Sequence, residues 1–410
     1  MERNGRDSAS KGADGVKGKF EIKLVSQEEE EQVHRLRDYC FPNKYIGARR
    51  EDFQYWVRHS TVIGAYEKKQ LVGKLLLLPL NITIHGVNYK MGGMGFVATY
   101  PEYRNEGIMK KLITRSLDEM RKNNQVVSVL APFSVSFYRH FGWELFCDKL
   151  HYFIPKESFP QFPNYTERIK RFSFEWMDDE SFEKIKQFHN QHALRTNGGM
   201  QRDAAWWQRL ARREPDSHFA YYVEEGSITG YIRYEIKDLT FIIRDFITEG
   251  ILAEQSLWNY ISSHQASVDS IKGVTSAASH FGFQFSEPQF RKEITQDVMI
   301  RIVDVYAFLK KFSWGDIENS LYLTVQDSFA PWNESLFHIS KDREIEIIHD
   351  RLIERQQILS LPIPILSALM TGYLSVSEAL LYANESLGKE AVENWKSAIP
   401  NHPPFFYEYF

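Results

Sequence analysis

Cysteine is scarce in this chain: Cys40 and Cys147 are the only two among 410 residues. A zinc cluster needs closely spaced ligands, so no metal site is expected. Each thiol reads instead as a small buried apolar residue, and so low a cysteine content fits a cytoplasmic chain. No apolar run approaches the roughly 20 residues of a membrane span; the longest, 75–80, has the length of a strand. Residues 1–19 are polar and Gly-rich without an apolar core, which excludes a secretory signal and reads as a disordered leader. A basic excess is missing too. Fifty Lys and Arg face 54 Asp and Glu, a net charge of -4. That balance argues against a nucleic-acid partner and is compatible with a cationic small molecule.

What is present suffices for packed cores: 43% of residues are apolar and 14% aromatic. The length allows roughly two to three domains. Residues 20–155 alternate strand and helix patterns. Strands are expected at 20–24, 61–66, 70–84, 89–99, 126–130 and 149–154, with a hairpin turn at Lys68-Lys69. Helices are expected at 28–40, 51–58, 107–123 and 135–141, the last with Ser134 as N-cap. This order predicts an α/β layer architecture. A proline-bearing stretch, 155–163, separates it from a second unit, 156–297, with helices at 177–192, 202–213 and 250–263 and strands at 219–224, 229–237, 239–247 and 273–277. A third unit, 298–410, opens on a strand at 300–305 and ends in an aromatic tail.

The second unit echoes the first. Glu106-Gly107-Ile108 opens the long helix of one, and Glu249-Gly250-Ile251 opens that of the other. His140-Phe141-Gly142-Trp143 is matched by His280-Phe281-Gly282-Phe283. The glycines stand 35 residues apart in the first unit and 32 in the second, the mark of a duplicated fold.

The segment carrying most chemistry runs from Phe96-Val97-Ala98 through Arg104-Asn105-Glu106-Gly107-Ile108-Met109. A strand ends, a polar loop follows, and a helix begins. The free N–H groups and dipole of such a helix end attract anions. Gly107 allows close approach of a diphosphate, and Arg104 adds a charged fork. No Gly-Lys-Ser/Thr ending is present, so this is not a P-loop. The plain alternative is a strand-loop-helix with a surface arginine. In the second unit only Ile247-Thr248-Glu249 lies between Phe246 and Gly250, with no arginine, so that unit is expected to keep the fold without the anion site.

Arg104 to Met109 resembles the Arg/Gln-x-x-Gly-x-Gly/Ala acetyl-CoA loop of the GNAT acetyltransferases, with Met109 in place of the usual small residue. That departure, with the order of the three units and the 138–142 and Phe410 segments, is similar to the enhanced-intracellular-survival (Eis) family. The resemblance implies two tandem α/β GNAT folds, the second degenerate, and a C-terminal α+β domain like a sterol carrier protein. It implies acetyl-CoA as cosubstrate and a primary amine as acceptor, on an aminoglycoside-like or polyamine-like molecule or a lysine side chain. It also implies a homo-oligomer, hexameric in that family, and no membrane partner.

The same resemblance implies site roles. Backbone groups of Phe96, Val97 and Ala98 would pair with the pantetheine arm, and 104–109 would hold the pyrophosphate. Tyr138 would protonate the departing thiolate; a tyrosine keeps its proton at neutral pH, with a pKa of about 10. The α-carboxylate of Phe410 would help to deprotonate the amine. The residues alone leave alternatives open: Tyr138 as a packing aromatic, Phe410 as a tail docked for stability, and His140, His402 or Glu408 as the base. Phe53, Tyr55 and Trp56 read as a helix face packed on its own core or as a cavity lining. The apolar stretch 358–370 reads as core or as a lipid tunnel.

Overall fold

A computed structural model describes residues 19–162, 168–176, 178–349 and 353–410. The expected leader lies almost entirely outside them, as do Pro163 and the expected first residue of the 177–192 helix. Three sheets organise the chain. The first unit supplies β1 (Glu21–Leu24), α1 (Glu30–Cys40), α2 (Ala48–His59), β2 (Thr61–Glu67), β3 (Gln70–Ile84), β4 (Val87–Thr99), α3 (Ile108–Lys122), β5 (Val127–Leu130), α4 (Val135–His140), β6 (Glu144–Leu145) and β7 (Lys149–Pro155). The second supplies β8 (Ile169–Ser173), α5 (Asp179–Arg195), α6 (Ala204–Arg213), β9 (His218–Glu224), β10 (Ser227–Lys237), β11 (Thr240–Thr248), α7 (Ile251–Ser262), β12 (Ser270–Ser276), β13 (Arg291–Thr295) and β14 (Met299–Ile302). The third supplies α8 (Val305–Lys311), β15 (Leu321–Gln326), β16 (Leu336–Ile339), β17 (Ile345–Ile348), β18 (Ile358–Pro362), α9 (Ile363–Met370), α10 (Val376–Ala383) and α11 (Lys389–Ala398).

The first two units exchange strands. The first sheet runs β1-β2-β3-β4-β5-β14-β6, and the second β13-β7-β12-β11-β10-β9-β8. So β7, expected to close the first sheet, lies in the second, antiparallel to β12 and β13. Reciprocally β14, expected to open the third unit, lies between β5 and β6 in the first. The reason is edge pairing. The outer edge of β5 needs a partner for its unpaired N–H and C=O groups, and β14, buried along its length, supplies one. A short buried strand pattern states that a strand forms, not which edge it joins.

Sequence patterning accounts for the packing around the site. Leu112, Ile113, Leu117 and Met120 recur at helical spacing in α3 and bury one face of it against the first sheet. On the opposite face Phe53 and Trp56 of α2 are fully packed, Trp56 against Trp206 of α6, which bears out the core reading of that helix. One apolar cluster continues from there through Tyr231 of the second unit to Phe308 and Trp395 of the third. Leu359, Leu361 and Leu366 join the same cluster. No described helix is long and apolar enough to cross a membrane.

One buried cation sits in this core. Lys74 of β3 is fully enclosed, and its Nζ donates to the Phe96 carbonyl at 2.8 Å. There β4 bulges: Lys74 pairs with Ala98 and Leu76 with Gly95, so Phe96 and Val97 together oppose Leu75. Phe96 takes a left-handed φ of 53°, a strained conformation for a non-glycine residue. Burial pulls the Lys74 pKa down to about 7. Its folded pKa is depressed below the unfolded value, so between the two the unfolded chain binds the extra proton, and stability rises with pH. Against a Lys74→Met variant, the wild-type melting temperature should therefore gain ground steadily from pH 7 to pH 9. A difference independent of pH would show that the ammonium is not desolvated.

Candidate active site

β4 and β5 run parallel but pair only over Met91–Val127, Gly92–Ser128 and Gly93–Val129. Beyond Gly93 they part, and β4 continues to Thr99 with no described strand on that side. The gap opens a cavity of about 1120 Å³. Its walls include β4 from Met94 to Thr99, the start of α3, α4 with Tyr138, and the C-terminal Tyr409 and Phe410. The expected site residues, Glu106 excepted, thus line one cleft.

Gly107 is the N-cap of α3, at φ 74°, and no side chain caps the helix. The first N–H to turn back into the helix is that of Lys111, on the Gly107 carbonyl. The amides before it face the cleft mouth free of helical partners, as an anion site requires. A Cβ at Gly107 would meet no protein atom within 4 Å, so within the protein its left-handed φ is what asks for glycine. Arg104, Asn105 and Glu106 are exposed. The Glu106 carboxylate is taken by Lys19. Ile108 is buried beneath the helix, leaving only its backbone available; Met109 lines the cavity. Lys110, which sequence reasoning passed over, lines the same mouth.

Ser134 caps α4 through the Phe137 amide, as expected. Tyr138 is buried between Phe133, Phe137 and Trp143, yet its ring reaches the cavity. Burial pushes its pKa above the ordinary tyrosine value. The phenol therefore holds its proton at neutral pH and can donate a hydrogen bond to a thiolate. The Phe96 carbonyl, assigned above to the pantetheine arm, is already bonded by Lys74. Val97 and Ala98 remain the better backbone candidates. Cys40 also reaches the cavity, but burial raises its thiol pKa, the reverse of an activated nucleophile.

The C-terminal tail is threaded rather than frayed. Asn197 bonds the Thr371 and His402 carbonyls, and the Phe405 amide bonds the Asn197 carbonyl at 2.8 Å. Glu408 accepts from Arg202 Nε at 2.6 Å and Trp206 Nε1 at 2.9 Å. Arg202 is also bidentate to Asp245 at 2.7 and 2.8 Å. Burial opposes the Arg202 charge, but Asp245 and Glu408 outweigh it and raise its pKa above the ordinary value. The Phe410 ring then lies on β4, where a Cβ at Gly93 would stand 2.9 Å from it. The glycines of Gly92-Gly93-Met94-Gly95 were the missed signal: glycine inside a strand marks close approach of another group. Three rival bases are thereby placed elsewhere. Glu408 is engaged by Arg202, His140 packs on Phe329, and His402 lies beside His85.

The second unit repeats the geometry with different contents. β11 and β12 pair in parallel over three residues and then part. Gly250 and Gly282 repeat the left-handed φ of Gly107 and Gly142. The gap, a cavity of about 440 Å³, is lined by the aromatic rings of Tyr152, Phe246, Trp258 and Phe281. Tyr407 of the tail enters it and donates its hydroxyl to the Val274 carbonyl at 2.8 Å. At the start of α7, Glu249 pairs with Arg195 much as Glu106 pairs with Lys19 before α3, so what sets the second helix start apart is the missing arginine loop.

Comparison with known proteins agrees with this architecture. Residues 21–146 and 198–302 each match a family of acetyltransferase (GNAT) domains, and 305–407 match a sterol carrier protein domain. The chain is 21% identical over 320 residues to an uncharacterised N-acetyltransferase of Streptomyces coelicolor, covering 71% of this chain and 75% of the relative. Among solved structures it is similar to a probable N-acyltransferase from Enterococcus faecalis, at 27% identity and a TM-score of 0.87, over 95% of this chain and 100% of that one. It shares its fold with Eis1 from Mycobacterium abscessus, at 18% identity and a TM-score of 0.78, over 95% and 100%.

The tail network generates a test of its own. Arg202→Met leaves Asp245 and Glu408 buried with less compensation, and breaking such a pair costs about 3–5 kcal/mol. The variant should melt several degrees lower, and limited carboxypeptidase digestion should release Phe410 faster than from wild type. Unchanged release would mean that Arg202 does not hold the tail.

Proposed function

We propose that this chain, a tandem-GNAT acetyltransferase of Eis-like architecture with a sterol-carrier-type C-terminal domain, moves the acetyl group of acetyl-CoA to a primary amine in the first unit's cleft. The carrying observation is convergence: an uncapped helix start, a buried protonated tyrosine and the chain's own terminus line one cavity. The free amides of α3, with Arg104 and Lys110, suit a diphosphate, each charge-assisted hydrogen bond contributing about 1.5–3 kcal/mol. Val97 and Ala98 offer backbone groups to an extended amide-bearing arm.

Acetyl-CoA supplies an activated thioester. The amine attacks its carbonyl carbon directly, forming the C–N bond as the C–S bond breaks, with no acyl-enzyme. The α-carboxylate of Phe410 faces the incoming ammonium, favours its approach and takes its proton directly or through water. Its ordinary pKa of about 3.3–3.7 makes it a weak base, so orientation and charge attraction are the larger part of its role. Tyr138 gives its proton to the departing sulfur and regains one from solvent. The acceptor is a small amine, cationic at neutral pH. The second unit, lacking the arginine loop and holding Tyr407 in its gap, serves as a platform and takes no CoA.

An amine panel with free-thiol release as readout tests this. Tyr138→Phe should lower kcat about 10²–10³-fold, within the range for loss of a positioned acid, with KM for acetyl-CoA within about threefold. A chain lacking Phe410 should lose activity at every pH while still binding CoA. Full turnover by both variants would remove the proposed chemistry from this cleft.

A further inference from the structure

The charge of the acceptor-facing wall is at odds with a polycationic substrate. Opposite the start of α3, the cavity is bounded by α6, whose Arg209 and Arg213 line it directly. One carboxylate serves these arginines. Asp52 of α2 lies 2.8 Å from Arg209, 3.0 Å from Arg212 and 3.9 Å from Arg213. Three guanidiniums against one carboxylate leave a positive surplus, which Glu408, engaged by Arg202, offsets only in part at Arg209. Asp52 and Arg209 are buried, whereas the Arg213 side chain is 27% exposed and lies farthest from Asp52. Of the three guanidiniums it is the one least committed to Asp52.

The other acids of the cavity do not absorb this surplus. Asp297 pairs with Lys149 at 3.2 Å. The cluster adjoins the tail: Trp206 sits 5.1 Å from the Arg209 guanidinium and 6.3 Å, ring centre to ring centre, from Phe410. Tyr45, also on the cavity wall, reports the field. Burial pushes its phenol pKa up, but Arg213 and Arg37 outweigh burial and bring it below the ordinary value.

We propose that the acceptor carries an anionic group besides its amine, and that Arg213, backed by Arg209, receives that group. The inference rests on the transferase reading above. The ammonium end faces the Phe410 carboxylate, and the anionic end meets the guanidinium fork, whose planar donors match a carboxylate or phosphate. An acceptor with several ammonium groups would set like charges against the same wall.

The experiment uses the full chain, acetyl-CoA and four primary amines of similar length whose far ends are a hydroxyl, a carboxylate, a phosphate monoester and a second ammonium. Wild type should show kcat/KM at least about tenfold higher for the carboxylate or the phosphate amine than for the diamine, mostly through KM. The ratio of those two says which anion fits. Arg213→Glu should invert the preference, and Arg213→Lys should keep its direction. A wild-type preference for the diamine overturns the proposal. So does an Arg213→Glu loss equal for all four amines, with melting temperature unchanged, since the arginines would then be acting on the tail. If no amine of any charge is acetylated, the transferase reading falls, and this inference with it.

Discussion

The parting of β4 from β5 after Gly93 is the constraint on which the remainder of the site depends. A parallel pair satisfies its ladder only while the strands stay adjacent. Here pairing stops after three residues, and β4 carries on for six more with β3 on one side and no described strand on the other. Its unpaired edge, the bulge at Phe96 and Val97, and the α3 N-terminus beyond it form one continuous surface of unsatisfied backbone groups. Buried polar groups without partners are costly, so a surface of this kind is stable only where solvent or a ligand reaches it. Lys74 meets part of the demand from below by bonding the Phe96 carbonyl.

Contacts from the second and third units place Phe410 at that gap. Phe410 reaches β4 because the second unit holds the tail at four points: the Asn197 and Val274 carbonyls accept bonds from it, and Arg202 and Trp206 donate bonds to it. The second unit has the same strand parting, but the tail's own tyrosine enters its gap. Reciprocal exchange of β7 and β14 fixes the two sheets relative to each other, and the third unit anchors the start of the tail. A chain terminus ordered by its surroundings before substrate arrives does not have to lose that freedom during the reaction.

Much of this was legible in the residues. Alternating patterns gave the strands and helices of the first unit to within a few residues, because amphipathic spacing and caps such as Ser134 are local. The duplicated Gly107 and Gly250 were readable for the same reason, and both prove to be left-handed helix starts. Partner choice was not local. Nothing in the 149–154 or 300–305 patterns says that these strands trade sheets. The tail was recognisable as anchored from its aromatics. Its anchors were not, since Arg202, Asp245 and Glu408 are far apart in sequence and no local pattern pairs them. Gly93 and Gly95 carried an unread signal, because a strand glycine shows what approaches it only once the tail is in place.

The claim beneath all of this is that main-chain amides at the start of α3 grip a pantetheine nucleotide. Isothermal titration of CoA into the full chain tests it most directly. The account predicts saturable binding heat that is much weakened by charge reversal at Arg104 and unaffected by charge reversal at Arg195 beside the second unit's gap. No heat with wild type, or equal heat with Arg104 reversed, would contradict it.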